Sequence, residues 1–551
     1  RWAIAGGAIL RDGTTQPSPV TEFDFIIVGA GSAGCVLANR LSADARNRVL
    51  LLEAGPRDRY PWIHIPIGYA KTMFHPRYNW QYYTRPDPGL HNRSIYWPRG
   101  KVLGGSSAIN GLIYIRGQPQ DYDNWAALGN VGWSWDDVLP YFIRSERNRR
   151  GADAYHGKLG PVGVSDVGRP NPLAKAFIES CVEAGYPANG DFNGAVQEGA
   201  GYYQLHTWQG RRCSSASGYL RPALKRANLS VQTGAHVCRI GFSGCRADTV
   251  YYLHGGQQKQ VRARREILLC AGTAQSPQLL QLSGIGDTDL LRRHGIEVLC
   301  DRPQVGENLQ DHLQVRVIHR CSRPITTNDD LRSSWRKLRM GLQYVLQRSG
   351  PMAVGINQAG AFLKTCEDLE TPDIQFHFGA LSADLPGAPL HRFSGSTTSV
   401  CQLRPTSRGR ISIASSDPLE KPEIQPEYLS TEIDRRTVVE GLKVARQITA
   451  QPALTPYIIE EYKPGSAVQT DAELLDFARQ SGVTIFHPAG TCRMGNDSKA
   501  VVDHQLRVRG VQSLRVVDCS IMPALVSGNT HAPAVMIAEK AADLILGAAA
   551  P

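Results

Sequence analysis

The strongest constraint on this chain is residues 25–55, FIIVGAGSAGCVLANRLSADARNRVLLLEAG. Phe25-Ile26-Ile27-Val28 is an apolar run of the length of a buried parallel strand. Gly29, Gly31 and Gly34 follow in G-x-G-x-x-G spacing, and Ala33, Val36, Leu37 and Leu41 then recur on one helix face. A second apolar run, Val49-Leu50-Leu51-Leu52, ends in Glu53, 19 positions beyond Gly34 and close to the ~20 of a dinucleotide fingerprint. Gly29 permits the tight turn, Gly31 leaves room for a pyrophosphate, and Gly34 lets helix and strand approach closely. The helix start, at Ser32 and Ala33, presents free N–H groups and a positive dipole end to phosphates. Glu53 and the adjoining Ala54 sit where a ribose diol would be bound. NAD and FAD share these requirements, so this stretch does not separate them.

The chain has 551 residues, 42% of them hydrophobic, enough for two to four domains. Its net charge of +11 is modest for the length, and no basic helix carries the interleaved aromatics of a nucleic-acid binder. The local basic run Arg144 to Arg150 reads as a solvated loop. Twelve cysteines include no C-x-x-C and no metal-like His spacing; Cys35 and Cys270 sit in apolar runs, as small buried hydrophobes do. No metal is expected. No apolar segment reaches the ~18 residues of a membrane span, and the stretch Ala532 to Ala550 reads as an amphipathic helix because of Glu539, Lys540 and Asp543. A cytoplasmic protein, at most peripheral to the inner membrane, is the expectation. Residues 1–20 read as an N-terminal extension.

Residues 60–97 are rich in aromatics and proline and read as an ordered excursion or lid. Trp97 to Asn110, WPRGKVLGGSSAIN, contains a second glycine turn, with Gly104 at its start and Ser106 offering a hydroxyl to a ring edge or phosphate. Trp125, Trp133 and Trp135 read as helix packing. Strands are expected over Asn228 to Val237 and Glu266 to Gly272, with a helix starting at Ser276-Pro277. From about 313 to 475 the texture becomes alternating, as in Gln375-Phe-His-Phe378 and Arg410-Ile-Ser-Ile413, which predicts an antiparallel sheet. Near the end, His487-Pro488 sits in a tight turn, Leu514 to Asp518 forms a third apolar strand tipped by an acid, and Asn529-Thr-His531-Ala-Pro533 leads into a helix. Two histidines at the mouths of elements returning to the dinucleotide unit point to catalysis.

Four stretches together resemble the glucose–methanol–choline oxidoreductases, which bind FAD: GAGSAG with Glu53, Gly100 to Asn110, Gly272 to Gly286, and His487-Pro with Asn529-Thr-His531. The resemblance spans about residues 22–547 and is nearest to the choline-dehydrogenase-like and alcohol-dehydrogenase branch. It implies an α/β protein: a Rossmann-type FAD-binding domain with a second substrate domain built on a mostly antiparallel sheet covered by helices. The implied division gives 21–160, 211–312 and 476–551 to the FAD domain, and 161–210 and 313–475 to the substrate domain. It implies contacts to FAD from Gly29, Gly31, Ser32, Ala33, Gly34, Glu53, Ala54, Gly104, Ser106, Asn110, Val237, Asp518, Asn529 and Pro533. It makes His487 the base and His531 its partner. Relatives that attach FAD covalently use a histidine where this chain has Ile109, so FAD is expected bound but unattached.

The implied reaction oxidises a primary alcohol to an aldehyde. His487 takes the hydroxyl proton, His531 stabilises the alkoxide, and electrons pass from flavin to a quinone-like or other non-oxygen acceptor. An oxidase making peroxide, a flavin-containing lyase, an NAD enzyme and a non-catalytic flavoprotein are the alternatives. Choline would need an acidic or aromatic cage, and no stretch of sequence marks one.

Overall fold

The computed structural model describes residues 21–547; the extension expected at 1–20 lies outside them. Two seven-stranded sheets organise the chain. In the first, Leu229–Thr233, Val49–Glu53, Glu22–Val28 and the C-terminal half of Gln257–Leu269 run parallel, joined by Leu514–Val516. All five carboxyl ends therefore open on one side, where open α/β sheets bind their ligands. The central strands read as continuous apolar runs because both faces are covered: Phe25, Ile26, Ile27, Leu51, Ile267, Leu268 and Leu269 are fully buried.

The helix Ser32–Leu41 follows the first glycine turn and is buried nearly all round, not on one face alone. The helix expected from Ser276-Pro277 starts earlier and spans Gly272–Leu282, so Pro277 lies inside it. A proline there removes an i→i−4 hydrogen bond and normally costs about 3 kcal/mol. The carbonyl left over is that of Thr273, and it accepts the Thr491 hydroxyl at 2.7 Å. Thr273 in turn donates to the Pro488 carbonyl at 2.8 Å, which ties this helix to the loop carrying His487.

The second sheet is antiparallel, in the order Ile458–Lys463, Leu313–Cys321, Gly395–Gln402, Ile374–Gly379, Asn357–Leu363, Gly199–Tyr202. Its period-2 pattern separates two environments. Val315, Val317, Phe376, Phe378 and Val400 join the core beneath the helices Pro172–Glu183 and Glu432–Thr449. Gln314, Arg316, His377 and Ser399 point the other way, into a cavity between the sheets. The boundary expected at 475 falls inside the helix Asp471–Ser481, and Val483–Thr484 still pairs with Leu313–Gln314. Arg410–Ser412 is not part of this sheet; it pairs with Glu423–Gln425 in a separate ribbon.

Two readings of charge are corrected. The C-terminal helix His531–Leu546 has no solvated face at Glu539 and Lys540, which are buried. Glu539 accepts from Arg40 at 2.9 and 2.6 Å and from Tyr219 at 2.5 Å, and Arg144 lies 2.8 Å away. The Lys540 ammonium sits over the Trp133 and Tyr141 rings, 5.4 and 5.0 Å from their centroids. The run from Arg144 to Arg150 is a solvated turn only at its end, where Arg149 and Arg150 are exposed; Arg144 reaches Asp543 and Arg147 lies over Trp208. These contacts lock the last helix against the dinucleotide unit and so fix where His531 sits. No helix among the described residues is long and apolar enough to cross a membrane.

Candidate active site

A cavity of about 940 Å³ runs from the carboxyl ends of the parallel strands to the polar face of the antiparallel sheet. Gly29, Gly31, Ser32, Ala33, Glu53, Ala54, Ser106, Asn110, Val237, Asp518, Asn529, His487 and His531 all line it. Gly34, Gly104 and Pro533 do not; they shape the elements behind the wall. A Cβ on Gly34 would stand 1.9 Å from the Gly29 carbonyl oxygen, and Pro533 lies in the first turn of the last helix.

The nucleotide end is built from backbone. The helix Ser32–Leu41 begins at Gly31 with no side-chain cap and no acid in its first turn, so its leading N–H groups face the cavity without a partner. A Cβ on Gly31 would meet only the Cys270 carbonyl, at an ordinary 3.8 Å. The room at Gly31 is therefore on the ligand side. The second glycine turn packs onto the first: Gly104 N–H donates to the Ala30 carbonyl at 2.8 Å, and a Cβ on Gly105 would fall 2.6 Å from the Gly31 Cα. Glu53 accepts from the Ala30 and Gly55 N–H groups at 2.9 and 2.8 Å, and burial raises its carboxyl to about 7. Each oxygen keeps a second lone pair for a diol. Asp518 is engaged by the chain itself, accepting from Gly272 N–H, the Ser276 hydroxyl and Ser520 N–H at 2.9, 2.6 and 2.8 Å. An uncapped helix start, a glycine cradle and a buried acid at a strand tip are the donor and acceptor set an adenine dinucleotide requires.

The other end holds the histidines. Phe486, just before His487, has φ +73, a left-handed conformation that is strained for a phenylalanine. Buried Asp311 holds that turn: it accepts from His487 N–H at 2.9 Å, from the Tyr428 hydroxyl at 2.6 Å and from the Thr484 hydroxyl at 2.5 Å. Thr484 also accepts from Phe486 N–H at 2.7 Å.

The side chains around His487 form one chain of hydrogen bonds whose direction follows from its two ends. His312 Nε2 lies 2.8 Å from the Leu403 carbonyl, which only accepts, so Nε2 carries the proton and His312 Nδ1 is the lone pair. His487 Nδ1, 3.0 Å from it, must donate. His487 Nε2 is then a lone pair, and the Asn529 amide nitrogen donates to it at 3.1 Å. At the far end Tyr203 donates to the Phe376 carbonyl at 2.5 Å, and Gln375 Nε2 donates to the Tyr203 oxygen at 3.1 Å and to Asn529 Oδ1 at 3.2 Å. Asn529, expected at the cofactor, thus turns its amide to the histidine. Burial first, then His312, His377 and Arg99, hold His487 well below the usual histidine range. Burial lowers His312 to about 4.

His531 opens the last helix, with Nδ1 3.2 Å from the Ser32 hydroxyl and its ring 4.5 Å from that of His206. His206 Nε2 is 3.0 Å from Asn110 Nδ2, and Asn110 Oδ1 accepts from Arg212 at 2.6 Å. Burial, then Arg212, lower His531 to about 4, and its Nε2 is buried without a partner. His312, Gln375, Arg99 and Arg212 were not singled out from sequence. His312 stands in VGENLQDH and Gln375 in QFHF, where only alternation marked them.

Two family models, both described as GMC oxidoreductase, match residues 23–314 and 405–538. The mitochondrial choline dehydrogenase of Mus musculus is 44% identical over 99% of this chain and 95% of that protein. The alcohol dehydrogenase (acceptor) of Pseudomonas putida is 43% identical over 95% of this chain and 96% of that protein. Among solved structures, pyridoxine 4-oxidase from Mesorbium loti superposes with a TM-score of 0.86 at 34% identity, covering 94% of this chain and 98% of that one.

Proposed function

The chain belongs to the glucose–methanol–choline (GMC) oxidoreductase family, and from that premise we propose that His487 is the base in its oxidation of a primary alcohol to an aldehyde, with a non-oxygen, quinone-like electron acceptor. The protein is an FAD-dependent oxidoreductase acting on CH–OH donors. The observation that carries the assignment is the hydrogen-bond chain from Leu403 to Phe376, because it makes Nε2 the accepting nitrogen of His487, with a lone pair that the Asn529 amide holds and that a substrate hydroxyl would take over.

Bound FAD supplies the acceptor for two electrons and the carbon-bound hydrogen. The rest of the chemistry falls to the chain. His487 Nε2 takes the hydroxyl proton, and its depressed basicity keeps it unprotonated and ready at neutral pH. As charge appears on the ring, its Nδ1–H bond to His312 strengthens. His531 Nε2 has no partner in the protein, and in the tautomer in which Nδ1 accepts from the Ser32 hydroxyl it carries a proton that it can donate to the developing alkoxide. The N-terminus of His531–Leu546 adds its positive end. Gly29, Gly31, Ser32, Ala33 and Glu53 would hold the pyrophosphate and ribose. Ile109 offers no nucleophile at that position, which supports FAD held without a covalent bond.

His487→Ala is expected to slow anaerobic flavin reduction by alcohol ~10²–10⁴-fold while flavin content stays normal. Near-normal reduction would remove His487 from this role. Peroxide formed in step with aldehyde, in preference to reduction of an artificial quinone, would replace the non-oxygen acceptor with oxygen.

A further inference from the structure

Among the described residues lining the cavity, the acids are Glu53 and Asp518. Both sit at strand tips of the parallel sheet and are held by backbone N–H groups. The antiparallel-sheet side offers a cation instead. Arg316 leaves Leu313–Cys321 on the cavity face, opposite Ser399, which is opposite His377. Its Nε is buried with no acceptor, and no carboxylate pairs with it among the described residues. Burial lowers the guanidinium to about 10, so it is still charged at neutral pH. The Arg316 side chain is only half-buried on the cavity wall, so the charge is tolerated there without a partner, and with no carboxylate beside it it is free to pair with an anionic ligand.

A second donor stands nearby. Tyr69 lines the same cavity. Its oxygen accepts from Ile356 N–H at 3.2 Å, leaving the hydroxyl proton to donate. The position also suits the reaction. Arg316, Ser399 and His377 form one row across the sheet, and the adjacent row holds Gln314, Cys401 and Gln375. Gln375 is bonded to Asn529 and through it to His487. Adjacent rows are ~7 Å apart along a strand, so a short molecule can reach both.

A quaternary ammonium finds the opposite surroundings. One face of Trp62 carries Lys71 at 3.8 Å and one face of Trp80 carries Lys101 at 4.4 Å; Phe74, Tyr82 and Phe486 also line the cavity, but beyond Glu53 and Asp518 no carboxylate among the described residues stands there to complete a cage. Resting on the alcohol-oxidation reading, the geometry points to a substrate that is a primary alcohol bearing an oxyanion, a carboxylate being the simplest, with Arg316 as the residue that selects it through a paired, charge-assisted contact.

The test uses the FAD-loaded enzyme and its Arg316→Gln variant, with γ-hydroxybutyrate, n-butanol and choline as anaerobic reductants of the flavin. γ-Hydroxybutyrate is expected to reduce it with a KM at least ~10-fold below that of n-butanol, and Arg316→Gln to raise that KM ~10–100-fold while leaving the n-butanol value unchanged. Butyrate, which cannot be oxidised at a hydroxyl, is expected to perturb the flavin spectrum of the native enzyme and not of the variant. A lower KM for choline or n-butanol, equal effects of the substitution on charged and neutral alcohols, or loss of flavin from Arg316→Gln would each overturn the proposal. If no alcohol reduces the flavin, the oxidation reading fails, and the butyrate titration still decides whether Arg316 holds an anion.

Discussion

His312 is the only acceptor for His487 Nδ1–H among the described residues, at 3.0 Å. Replacing it by leucine leaves a buried donor unpaired, which costs about 1–3 kcal/mol. The ring escapes by moving its proton to Nε2, but then the Asn529 amide must turn over and give up its bond to Gln375. The lost bias toward the competent tautomer is therefore about 1–3 kcal/mol, or a ~5- to 150-fold fall in the rate of flavin reduction at saturating alcohol. Rapid mixing under anaerobic conditions measures that rate directly. Tautomer exchange in a neutral ring does not depend on pH, so the deficit should be the same across the pH plateau. His312→Gln offers both an acceptor and a donor and should recover most of the rate. A leucine variant that keeps its flavin and reduces it at the native rate would refute the tautomer argument.

Three further outcomes follow from the same geometry. Gly31→Val should fold yet lose FAD, because the space beside Gly31 belongs to the ligand, whereas Gly105→Ala, with φ +52 and 2.6 Å to the Gly31 Cα, should lower the melting temperature; flavin-to-protein ratios and thermal melts separate the two, and a fully loaded Gly31→Val would contradict the cradle. The pH profile of kcat/KM should fall only below the usual histidine value of ~6.5, since a depressed pKa keeps His487 neutral to lower pH; an acid limb centred above 7 would contradict it. Unfolding followed by filtration should release all the flavin, and colour retained on the chain would show a covalent link.

The dinucleotide unit was legible because its requirements are local. A tight turn, a close approach and an acid at a strand tip depend on residues a few positions apart, and Gly29, Gly31, Gly34 and Glu53 state them in order. The antiparallel sheet was legible too, since alternation writes its two faces into each strand. The Pro277 helix was misjudged because its missing hydrogen bond is replaced by Thr491, more than two hundred positions away. Glu539 and Lys540 read as solvated because the sequence does not display the arginines and aromatic rings that meet them.

The catalytic end shows where local pattern stops. Sequence alone determined that two histidines open elements beside a dinucleotide fold. Only the tertiary structure decided which nitrogen of His487 holds the lone pair, because that rests on His312, 175 positions away, and on Gln375, 154 positions from Asn529. The sign of the charge on the cavity wall was decided the same way: a guanidinium is an ordinary surface group until folding sets it on that wall and brings no carboxylate beside it.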